Sequence, residues 1–164
     1  MLKVSKRGMI PPFIVMDVMR AANERAAAGK DVMHLEVGQP STPAPRRVLE
    51  AAKRALDSQV LGYTDALGIP PLREKIAHYY KTRYDIAIDP GRIIVTTGSS
   101  GGFLLAFLSA FDVGDKVGLA TPSYPAYKNI LSALGLYAVD IPVGSCSHFQ
   151  PTPELLETYA SDLD

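Results

Sequence analysis

Ile93-Ile94-Val95-Thr96-Thr97 runs directly into Gly98-Ser99-Ser100-Gly101-Gly102 and then into Phe103-Leu104-Leu105-Ala106-Phe107. The first five residues are all β-branched, the texture of a strand covered on both faces. The last five are uniformly apolar and suit a helix. A glycine–serine turn between such a strand and such a helix opens a parallel α/β layer. Continuing from it, residues 116–120 read as a second strand, residues 124–134 as a helix stopped by Gly135, and residues 136–143 as a third strand. Thr152 and Pro153 supply the N-cap and first position of a last helix. Residues 92–164 therefore read strand, helix, strand, helix, strand, helix, with right-handed crossovers between parallel strands.

Upstream the texture differs. Residues 1–12 end in Pro11-Pro12 and read as an extended arm. Residues 13–28 carry Ile14, Val18 and Ala22 at helical spacing, with Gly29 as the stop. Residues 32–37 alternate well enough for a short strand, closed by Gly38-Gln39-Pro40. Two more helices are expected, over residues 46–58 and from Pro70-Pro71 to Tyr84. Residues 1–91 are thus mostly helical and form a different unit from residues 92–164. A doubly wound sheet usually has five or more strands, and this layer has three, so the sequence is expected to be the first portion of a larger fold.

Composition narrows the function classes. The 164 residues hold 17 Lys plus Arg and 17 Asp plus Glu, so no basic excess favours a nucleic-acid backbone. A lone cysteine, Cys146, makes no disulfide framework. The apolar run of residues 101–111 is too short to span a bilayer. A cytoplasmic protein is expected. His34, His78 and His148 share no ligand-like spacing with each other or with Cys146, so no metal site is expected.

The Gly98–Gly102 turn has chemistry to offer. A helix N-terminus presents unpaired N–H groups and the positive end of the helix dipole, and serine hydroxyls add donors. It is neither a P-loop, for want of a following Lys, nor a dinucleotide fingerprint, for want of the glycine spacing. The same residues also fit Gly-x-Ser-x-Gly with Ser100 as a nucleophile. A serine hydrolase would then need Asp140 and His148, the one acid–histidine pair in the right order. Asp140 lies inside an expected strand and no His-Gly-Gly oxyanion motif is present, so this stands as an alternative only. Directly after the second strand comes Thr121-Pro122-Ser123-Tyr124-Pro125-Ala126-Tyr127. Ligands bind at the ends of parallel strands, and an aromatic there can stack on a flat ring.

In chain order, Gly38-Gln39-Pro40, Tyr63, the Gly68-to-Arg73 helix entry, Gly98-Ser99-Ser100-Gly101 and Pro122-Ser123-Tyr124-Pro125 resemble the N-terminal portion of the class I/II aminotransferases. These are pyridoxal-phosphate enzymes of fold type I. The resemblance runs over residues 11–153, with Gln39 where the family more often has Glu. It implies that Ser99, Ser100 and Gly101 hold the cofactor phosphate and that Tyr124 stacks on the pyridine ring. It also implies that Tyr63 reaches the cofactor phosphate of a neighbouring subunit, so that the protein is a homodimer, and that the backbone of Gly38 lies against the substrate carboxylate. Residues 1–91 would be the N-terminal arm and a small-domain segment, and residues 92–164 the start of the large cofactor-binding α/β domain.

The reaction implied is amino-group transfer between an amino acid and a 2-oxo acid with pyridoxal 5′-phosphate. The family's Schiff-base lysine and its substrate-binding arginine come later in the chain, and no lysine here stands in a Ser-x-x-Lys context. No catalytic residue is therefore expected within residues 1–164, and the chain alone is expected to be inactive. A carbon–sulfur lyase of the same fold shares these motifs and stands beside the aminotransferase.

Overall fold

The computed structural model describes residues 2–164. These residues form two compact units: residues up to Glu36 together with Gly98–Asp164, and Val37–Thr97.

The first unit contains helices α1 (Ile14–Ala27), α4 (Ser99–Ala110), α5 (Ala126–Leu134) and α6 (Pro153–Tyr159), with strands β1 (Lys116–Thr121) and β2 (Tyr137–Pro142). The strands pair in parallel, with Lys116 opposite Tyr137 and Thr121 opposite Pro142. α5 is the crossover between them, and its exit is specified locally. Gly135 takes φ 81°, a left-handed position that favours glycine, as the helix ends. Leu136 N–H then donates to Leu131 O at 2.9 Å and Gly135 N–H to Ser132 O at 3.1 Å. This is a Schellman ending, and its usual apolar contact is Leu131 with Leu136. That contact is also the centre of the core: Val117, Leu131 and Leu136 are buried, with Phe107, Phe111, Leu119 and Leu134 packed around them. α6 starts as expected, with the Thr152 hydroxyl accepting from Leu155 N–H.

The second unit holds α2 (Arg46–Ser58) and α3 (Pro70–Tyr84). α3 begins on its two prolines and ends at Asp85 in the left-handed region. Arg73 fixes α3 to the Pro90–Arg92 turn, donating to Pro90 O from Nε at 3.0 Å and from Nη2 at 2.7 Å. Gly68, at φ 95°, lets its turn close on Val95: a Cβ there would lie 2.6 Å from Val95 Cγ2.

Two expected strands are absent. Residues 93–97 form no ladder, with Val95 N–H donating to Leu67 O at 3.0 Å and Ile94 exposed. Residues 32–37 likewise form no strand. β-branched texture favours an extended backbone, but a strand exists only where a neighbour accepts its ladder. Among the described residues the sheet has two strands, β1 and β2. The expected order of three strands alternating with three helices from residue 92 is realised from Ser99 onward as α4-β1-α5-β2-α6.

The compact units also cut the chain differently from the expected boundary at 91/92. The arm and α1 go with the strand-bearing unit because Phe13 packs edge-on against Tyr124, with ring centres 5.9 Å apart, and the Lys6–Gly8 turn packs on α5. No helix among the described residues is long and apolar enough to cross a membrane.

Candidate functional site

The glycine–serine turn is itself the first turn of α4. Gly98 is the N-cap at φ 81°, and Ser99, Ser100 and Gly101 are the first three helical residues. The first backbone bond of the helix, Gly102 N–H to Gly98 O, is 3.4 Å long. The amides of Ser99, Ser100 and Gly101 precede it and have no partner in the helical ladder. The N-cap has no side chain to cover them, and the first turn contains no acidic residue. Ser99 and Ser100 are exposed. Three amides, two hydroxyls and the positive end of a twelve-residue helix suit an anion.

Tyr124 sits on the loop between β1 and α5, half-exposed. Its ring meets Phe13 at 5.9 Å and Tyr127 at 5.4 Å, both edge-on. Tyr127 in turn meets Phe103 at 4.6 Å. Phe103 is four residues after Ser99, hence on the same side of α4 one turn further along. Successive ring contacts thus join Tyr124 to the start of α4. Beside Tyr124 lies an open cavity of about 290 Å³ lined by Thr121, Pro122, Ser123, Tyr124, Pro125 and Lys128. It is at the C-terminal end of β1, where parallel sheets bind ligands.

One carboxylate organises this wall. Thr121 Oγ1 donates to Asp140 Oδ1 at 2.8 Å. Lys128 Nζ lies 2.6 Å from Oδ1 and 2.8 Å from Oδ2. The Lys128 hydrogen bond, followed by that from Thr121, holds the Asp140 carboxyl below the usual carboxylate range. A depressed folded pKa stabilises the fold above the unfolded value of about 3.9, and that contribution is lost as pH falls through the folded value. Asp140 is half exposed, so the effect is small. The denaturation midpoint should fall more steeply with acidification below about pH 4 in the native chain than in Asp140→Asn; parallel pH profiles would contradict this.

Gly38 and Tyr63 belong to the other unit. Gly38 is the centre of a γ-turn, with Gln39 N–H donating to Val37 O at 2.9 Å. Tyr63 is fully exposed on the α2–α3 connection. Two residues before Gly38, Glu36 lies 2.8 Å from His34 Nδ1 and is held below the usual carboxylate range by that hydrogen bond.

Thr121, Tyr127, Lys128 and Asp140, which build this wall, stand in no motif that the sequence assigns to it. An aspartate inside the apolar run Tyr137-Ala138-Val139-Asp140-Ile141 was the available signal, since a charged group in such a strand calls for a partner.

The family model for aminotransferases of class I and II matches residues 30–163. The chain belongs to this family. The valine–pyruvate aminotransferase of Mycobacterium tuberculosis is 53% identical over 154 residues, 94% of this chain and 40% of that protein. A crystal structure of an aminotransferase from the same organism superposes with a TM-score of 0.91 at 52% identity, covering 96% of this chain and 41% of the other. The aspartate aminotransferase of Thermus thermophilus with maleate gives 0.89 at 29% identity, covering 96% and 42%. The chain spans about 40% of the length of these relatives. As an aminotransferase family member it has Ser100 in the first turn of α4, and its Asp140 is taken up by Thr121 and Lys128 rather than by His148. Neither the hydrolase nor the lyase is favoured.

Proposed function

We propose that this chain provides the phosphate- and ring-holding part of a pyridoxal 5′-phosphate-dependent aminotransferase that moves an amino group between an amino acid and a 2-oxo acid. The observation that carries the proposal is the uncapped first turn of α4, joined through Phe103 and Tyr127 to the exposed ring of Tyr124. A phosphate monoester and a flat heteroaromatic ring match these two features in chemistry: the amides and hydroxyls of Ser99, Ser100 and Gly101 take the anion, and Tyr124 offers its face to the ring. When bound, the cofactor supplies an electron sink for negative charge developing at the substrate Cα.

The chain's own residues have binding and orienting roles. The α4 first turn anchors the phosphate, and Tyr124 limits the tilt of the ring. The resemblance adds two assignments: Gly38 presents its backbone to the substrate carboxylate, and Tyr63 donates to the phosphate held by a second subunit of a cytoplasmic homodimer. No lysine of this chain stands in the family's Ser-x-x-Lys context, so the covalent and proton-transfer steps belong to sequence outside these residues.

Pyridoxamine 5′-phosphate needs no lysine bond and tests the holding role directly. Titrated into the full chain, it should bind with saturation, and Tyr124→Leu should weaken it about tenfold, the value of a lost ring contact. Equal affinity for the native chain and Tyr124→Leu would remove Tyr124 from the site.

A further inference from the structure

We infer that Asp140 is the positioning residue of the Tyr124 loop, one carboxylate gripping the chain on both sides of Pro122–Pro125. Thr121 is the last residue of β1 and Lys128 lies in the first turn of α5, so the two groups bound to Asp140 bracket the loop. Asp140 itself is in β2, a separate element in register with β1. The loop residues between the two grips include Pro122, joined to Thr121 by a cis peptide, and Pro125. Tyr124 stands between these prolines, and its ring contacts with other aromatic residues, to Phe13 and Tyr127, are both edge-on. The direction of that ring therefore depends on where the two loop ends are held, and Asp140 holds both.

An exposed ion pair contributes little to global stability, and the Lys128 and Asp140 side chains are 45% and 50% exposed. The role assigned here is local order rather than stability. The depressed carboxyl of Asp140 agrees with a group kept ionised for this purpose. Its consequence for ligand binding rests on the proposed function, whereas the grip itself does not.

Hydrogen exchange on the full chain tests the grip. In Asp140→Leu, which removes both bonds, the hydrogen-bonded amides at the two ends of the loop, Tyr127 N–H on Tyr124 O and Val143 N–H on Thr121 O, should exchange about tenfold faster. The amides of Val117 and Leu119 in β1 should be unchanged. Asp140→Asn keeps an acceptor for Thr121 and should fall between. The exchanged pair Lys128→Asp with Asp140→Lys should recover most of the protection. Unchanged loop exchange, or an equal rise throughout β1, α5 and β2, would overturn the assignment. Pyridoxamine 5′-phosphate affinity, measured on the same variants and on Tyr124→Leu, separates the two ideas. Indifference of that affinity to Tyr124→Leu sinks the cofactor reading, while the exchange pattern alone decides the grip.

Discussion

Leu131→Ala is expected to lower the unfolding free energy by about 3 kcal/mol, the middle of the range for emptying a fully buried leucine site. Leu131 is completely buried, and three independent features converge on it. It is in the crossover helix, it touches Val117 of β1, and its carbonyl accepts the Leu136 N–H that turns the chain into β2. The aromatic residues around it, Phe107 and Phe111, come from α4 and the residue that caps it. Phe107 is in ring contact with both Phe103 and Phe111, which limits how far it can move into the space left by the lost isobutyl group. Only four buried apolar side chains, Val117, Leu131, Leu136 and Ile141, lie in this unit among the described residues. With domain stabilities of about 5–15 kcal/mol, losing one of four is a large fraction of the total. Leu108→Ala is the matched control, since Leu108 is 60% exposed and should change stability by less than about 0.5 kcal/mol. Urea midpoints followed by circular dichroism compare the two. A Leu131→Ala shift no larger than that of Leu108→Ala would mean that the core is not where α5 meets β1.

What the sequence made legible was what neighbouring residues determine. Prolines at the start of α3, Thr152 ahead of α6 and Gly135 after α5 each act within one turn of chain, and each boundary stands where the residues put it. Residues 93–97 failed as a strand for the opposite reason: their β-branched side chains favour an extended backbone, but a ladder needs a partner that local chemistry cannot supply. The same distinction separates the site residues. The glycine and serines that form the first turn of α4, where an anion site is proposed, stand in five consecutive letters. The Asp140 grip joins residues 19 and 12 positions away, so an aspartate in an apolar strand signals that a partner exists but not which residues supply it. The aromatic contacts from Tyr124 to Phe103 pass between α4 and α5 and were equally invisible. The Phe13 contact at the start of α1 also depends on a residue more than a hundred positions away, which the texture of the chain could not show.

Ser100→Asp should abolish measurable binding of pyridoxamine 5′-phosphate while leaving the helix that carries it at least as stable. One charge acts in opposite directions on these two equilibria. Ser100 is the second residue of α4, exposed, in a first turn with no acidic side chain. A carboxylate there meets the positive end of the dipole and should stabilise the helix by about 0.3–1 kcal/mol. Against a phosphate dianion in the same turn it is a like charge at close range. Two unit charges about 4 Å apart repel by about 4 kcal/mol at an effective dielectric near 20; exposure and salt reduce this to about 2 kcal/mol. Losing the hydroxyl's bond to a charged group adds about 1.5–3 kcal/mol. The sum corresponds to a loss of affinity of at least a hundredfold. Ser100→Ala isolates the hydroxyl and should lose only that share, about 10- to 150-fold, with the repulsion in Ser100→Asp adding about a further thirtyfold. Raising the salt concentration should recover part of the binding by Ser100→Asp and none of that lost in Ser100→Ala, because only the first defect is a screened repulsion. If Ser100→Asp instead binds the ligand as well as the native chain, the phosphate is held elsewhere and the first turn of α4 is simply the start of a helix.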